Sequence, residues 1–106
     1  MYYSQEYIEP AEVYQNFIRS FFLQKIYVGN LSSNIANEIL AEKFAKFGIV
    51  YSAKVITDRE TNRSMGFAFV EMESSEDAEK AIINLNGSTL DGRHINVTEA
   101  KKPILR

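Results

Sequence analysis

The order of its strand-like and helix-like segments predicts an α+β fold, a four-stranded antiparallel sheet with two helices on one face and a further helix ahead of it. Three observations carry that expectation. The octamer Met65-Gly66-Phe67-Ala68-Phe69-Val70-Glu71-Met72 alternates aromatic with small or apolar residues, the period of a strand. The hexamer Ile26-Tyr27-Val28-Gly29-Asn30-Leu31 repeats that alternation. Two other stretches place apolar residues at helical spacing instead: Leu40, Phe44 and Phe47, then Ala78, Ala81, Ile82 and Leu85.

Residues 1–24 form an N-terminal extension. Pro10 suits a first helical turn, and Glu9 and Glu12 suit the positive end of a helix dipole. Val13, Phe17 and Phe21 are spaced by four, as are Tyr14, Ile18 and Phe22, so Pro10 to Phe22 is expected to be an amphipathic helix. A membrane-surface helix would carry cations along its polar side, and only Arg19 is present. Its apolar face is therefore expected to bury against this domain or a second copy of the chain.

Residues 25–101 make the domain. Lys25 to Leu31 is the first strand, with Ile26 and Val28 inward and Tyr27 outward. A helix over Asn37 to Phe47 follows the loop Ser32-Ser33-Asn34, with Gly48 as its stop. Val50 to Asp58 is the second strand, turning Ala53 and Val55 inward and Lys54 and Ile56 to the other face. A polar loop, Asp58 to Ser64, leads into the octamer, whose Ala68, Val70 and Met72 face the core while Phe67, Phe69 and Glu71 face away. Ser74-x-x-Asp77 approximates a capping box for the second helix, which ends at Asn86-Gly87. After the turn signal Asp91-Gly92, the strand Arg93 to Ala100 points Ile95 and Val97 inward and His94, Asn96 and Thr98 outward. Residues 102–106 are a short tail. The order strand, helix, strand, strand, helix, strand is that of the ferredoxin-like sandwich, and right-handed crossovers put both helices on one side of its sheet.

Composition narrows the chemistry. At 106 residues the chain is one domain, and without cysteines it has neither a disulfide framework nor a thiolate metal site. No catalytic residues and no cofactor are expected, because the sequence has no second histidine, no phosphate-cradling glycine loop and no carboxylate pair in a recognisable setting. A metal site around His94 has no supporting ligand cluster, which makes a solvated strand residue the expected reading. The stretch Phe17 to Val28 is interrupted by Arg19, Gln24 and Lys25 and is too short to cross a bilayer. The expected location is cytoplasmic, with the nucleus left open.

The outward face is the informative one. Two strands side by side would bring Tyr27, Phe67 and Phe69 together beside a carboxylate, and exposed rings flanked by cations suit unpaired nucleic acid, because every base has a π-face. The octamer resembles the longer signature of the RNA recognition motif family, and the hexamer resembles the shorter one. That resemblance implies adjacent central signature strands, with Tyr27 and Phe69 stacking successive bases and Phe67 packing near the sugars. It departs from the family pattern at Met65, where a basic residue is usual, and at Met72, where an aromatic is usual. Lys25, Lys54, Arg63, Lys101 and Lys102 are placed for phosphate, and Asn96 and Thr98 for base edges. The expected partner is single-stranded RNA, with single-stranded DNA weaker. A formal net charge of −2 argues for modest affinity. The alternative is a protein-interaction or homodimerising module in which the N-terminal helix engages protein or covers the rings.

Overall fold

The computed structural model describes residues 23–100. The helix expected over Pro10 to Phe22, and Lys101 and Lys102 of the basic tail, lie outside the described residues. The elements are β1 (Gln24–Gly29), α1 (Asn37–Ala45), β2 (Val50–Thr57), β3 (Ser64–Met72), α2 (Ser75–Leu85), β4 (Thr89–Leu90), β5 (Arg93–His94) and β6 (Asn96–Glu99). Four strands pair in the order β2-β3-β1-β6, every neighbour antiparallel, so the two signature strands are central and adjacent.

The predicted inward residues close the core. Ile26, Val28, Val70, Met72 and Val97 from the sheet meet Leu40 and Phe44 of α1, all fully buried, with Ala78 and Ala81 of α2 beside them. Burial contributes about 1.5–3 kcal/mol for each large apolar side chain. Met72, in place of the aromatic, fills its core position completely. Because strand side chains alternate, burying these residues turns Tyr27, Phe67 and Phe69 to the face opposite α1 and α2.

Three expectations need correction. The first helix ends at Ala45 rather than Phe47, and Gly48 has a different task from stopping it. A Cβ at Gly48 would strike the Asp77 carboxylate of α2, so the glycine allows two segments to pass closely. The capping box is half formed: Ser74 Oγ accepts from the Asp77 backbone N–H at 3.3 Å, while the Asp77 carboxylate lies over Gly48.

The third correction concerns the last strand, which is broken. Asp91 and Gly92 both have positive φ, 51° and 80°, which suits a two-residue hairpin turn, and they fold Arg93–His94 back onto Thr89–Leu90 as a separate ribbon. Only residues from Asn96 onward pair with β1. His94 therefore sits in the ribbon rather than in line with Asn96 and Thr98, and its Nδ1 lies 3.2 Å from the Gly87 carbonyl.

Among the described residues β2 is an edge strand, and it is irregular. Val50 pairs with Met72 and Ser52 with the adjacent Glu71, leaving Tyr51 as a bulge residue, 57% exposed.

Candidate nucleic-acid interface

One row of paired residues crosses all four strands of the sheet face opposite α1 and α2. Lys54 lies opposite Phe69, Phe69 opposite Tyr27, and Tyr27 opposite Thr98. At about 4.8 Å between strands the row spans about 14 Å. A second row runs Ser52, Glu71, Lys25, and Gly29 lies opposite Asn96. The antiparallel register thus brings together residues that the sequence separates, with no segment other than the strands themselves needed to align them.

The three rings form a mutual cluster. Tyr27 lies 5.8 Å from Phe67 in a tilted arrangement and 5.9 Å from Phe69 edge to face, and Phe67 meets Phe69 at 6.0 Å, also edge to face. These separations hold each ring in an orientation favoured by its quadrupole. All three are half-buried, with Glu71 half-buried on the same face. The tyrosine has room to lean along its strand only because Gly29 lacks a side chain: a Cβ there would come within 2.5 Å of the Tyr27 hydroxyl.

The cations divide. Lys25 places its ammonium 5.2 Å from the Phe69 ring centroid, a cation–π contact that fixes positive charge beside the stacking surface. Lys54 is exposed beside Phe69. Arg63 is exposed in the loop before β3, which Asp58 shapes by accepting from the Glu60 and Thr61 backbone N–H groups. Its side chain takes no part in the ring cluster. Asn96 and Thr98 are exposed on β6, and Glu71 accepts a 2.7 Å hydrogen bond from the Ser52 hydroxyl.

Sequence reasoning missed one constellation at the end of the sheet. Arg93 donates from Nη2 to the Asn30 Oδ1 at 2.6 Å and from Nε to the Asn30 carbonyl at 3.2 Å, while Asn30 Nδ2 donates to the His94 carbonyl at 2.8 Å. Asn30 has a φ of 59°, a left-handed conformation that asparagine tolerates. The Gly29-Asn30 pair at the end of a strand was the available turn signal.

Comparison with known proteins agrees with this geometry. Over 77 residues the chain is 49% identical to glycine-rich RNA-binding protein 2 of Sorghum bicolor and 48% identical to the 29 kDa chloroplastic ribonucleoprotein of Arabidopsis thaliana, in each case across 73% of this chain. It spans only 46% and 22% of those relatives' own lengths. Among solved structures, RNA-binding protein PG1 superposes with a TM-score of 0.73 at 48% identity, covering 76% of this chain and 99% of that one. The Rna15 RRM with bound RNA (GU) superposes at 0.67 with 27% identity, over 76% of this chain and 86% of the other. The cytoplasmic expectation is overturned here: the Arabidopsis relative and others from Nicotiana sylvestris and Spinacia oleracea are named as chloroplastic ribonucleoproteins. The sequence profile of the RNA recognition motif matches residues 26–96, and on that match, with both signatures paired at the centre of the sheet, the chain belongs to the RNA recognition motif family.

Proposed function

We propose that this domain binds single-stranded RNA across the sheet face opposite α1 and α2, as a binding module and not an enzyme. The observation that carries the reading is the contact cluster of Tyr27, Phe67 and Phe69, half-open and flanked by Lys25 and Lys54. Bases stack on such rings without regard to sequence, and the lysines supply charge for phosphates. Support comes from the family match and from a neighbouring structure that contains RNA. Single-stranded DNA should bind more weakly because it lacks 2′-hydroxyls.

Titration with mixed single-stranded RNA oligomers, followed by tyrosine fluorescence or amide shifts, tests the reading. Phe69→Ala is expected to cost about 1–3 kcal/mol of binding. Since the ring is only half-buried, the variant should remain folded. A variant with alanine at Tyr27, Phe67 and Phe69 that binds as well as the parent would sink the proposal.

Self-association is the second reading. It is favoured by exposed apolar side chains on the domain surface, Ile83 at 72% and Ile49 at 65%, which a greasy segment such as residues 10–22 of a second copy could cover.

A further inference from the structure

We propose that Arg93, held by Asn30, is a preset phosphate clamp at the Tyr27 end of the ring face. This rests on the RNA-binding reading above and adds a contact that neither signature contains. Arg93 is 63 residues from Asn30 in sequence, yet two of its five N–H groups are committed to Asn30 oxygens. Both acceptors are neutral, so they orient the guanidinium plane without cancelling its charge. Among the described residues no carboxylate pairs with Arg93, and the side chain is exposed. A planar fork fixed in advance loses less freedom on meeting a phosphate than a lysine does, and its remaining donors suit bidentate contact.

Its position ties it to the rings. The Tyr27 hydroxyl lies over Gly29, the residue before Asn30, and Gly29 pairs with Asn96 on the edge strand. A nucleotide whose base stacks on Tyr27 therefore has its backbone within reach of the strand end where Arg93 is fastened. Met65 belongs to this end too, since the Leu31 N–H donates to the Gly66 carbonyl at 2.9 Å. Met65 is exposed and uncharged, which leaves the arginines to supply the positive charge there.

The competing role for Arg93 is a purely structural clasp that fastens the β4–β5 ribbon to β1. Salt dependence separates the two, because a clasp has no counterion to release. RNA binding would be measured from low to moderate salt for the full chain and for Arg93→Gln, Arg93→Lys and Phe69→Ala, with a thermal melt of each. The clamp predicts that Arg93→Gln weakens binding severalfold and makes the logarithmic salt slope shallower by about 0.7, the value of one single-strand phosphate contact. Arg93→Lys should keep the parent slope and lose part of the affinity, since the charge remains and the fork is gone. Should Arg93→Gln unfold the ribbon, Asn30→Ala takes its place: the clamp predicts weaker binding at an unchanged slope. An Arg93→Gln or Asn30→Ala protein that is less heat-stable yet matches the parent in affinity and slope overturns the proposal. If Phe69→Ala weakens binding in that same experiment, the ring reading stands without the clamp; if Phe69→Ala has no effect, the ring reading itself fails.

Discussion

Met65, 54% exposed, sits at the start of β3, two residues after Arg63. With few cations on the face, about two to four phosphate contacts should give a logarithmic salt slope of about −1.4 to −2.8, from roughly −0.7 for each contact. Met65→Lys is expected to tighten binding and steepen that slope, as read from titrations at several salt concentrations. An unchanged slope would show that position 65 does not meet the phosphate path. At this scale the rings were legible in the sequence because a period of two assigns faces without reference to any other strand. Tyr27, Phe67 and Phe69 all fall where that period puts them. The position of Lys25 over Phe69 was not legible, since it depends on a cross-strand register and a rotamer. Nor was the Asn30–Arg93 lock, which requires a left-handed asparagine to meet a distant arginine.

Between elements, Gly48, in the loop after α1, passes close against the Asp77 side chain of α2. Gly48→Ala is expected to cost about 1–3 kcal/mol in stability, the usual range for forcing an atom into a packed contact. The midpoint of denaturant unfolding measures it, and adding Asp77→Ala in the same chain should recover part of the loss. A Gly48→Ala protein as stable as the parent would show that α2 simply shifts aside. The helical stripes were readable because Leu40, Phe44, Ala78 and Ala81 repeat at the helical period and are all buried. Where α1 stops was misread because a glycine after an apolar stripe is a common stop signal, and the alternative reason for a glycine lay on another element. The final strand was overextended for a related reason. Asp91-Gly92 was recognised as a turn, but a turn that closes its own two-residue ribbon breaks the strand that follows it.

For the molecule as a whole, the question is what residues 10–22 do for the domain. Their removal should stop short of Leu23, which is 2% exposed, because β1 starts at the next residue. Deleting residues 1–22 is expected to lower thermal stability, or to lower the mass seen by light scattering, with RNA affinity unchanged. Tighter RNA binding after deletion would instead mark the segment as a cover over the rings. A truncated chain equal to the parent in mass, stability and affinity would show that the segment makes no use of this domain. The topology of the sheet was readable from the order of elements, whereas the fate of an amphipathic segment depends on a surface that its own sequence does not describe. Among the described residues the sheet ends on β2 and β6, and each of these edges is blunted. β6 is four residues long, and β2 is interrupted by the bulge at Tyr51. A straight eight-residue border would be a template on which another copy could zip its own strand, the first step towards ribbons and precipitate. With an extra residue twisting the ladder, strand-to-strand polymerisation along this border loses its register at once, so concentrated solutions of the domain should not cloud by edge pairing.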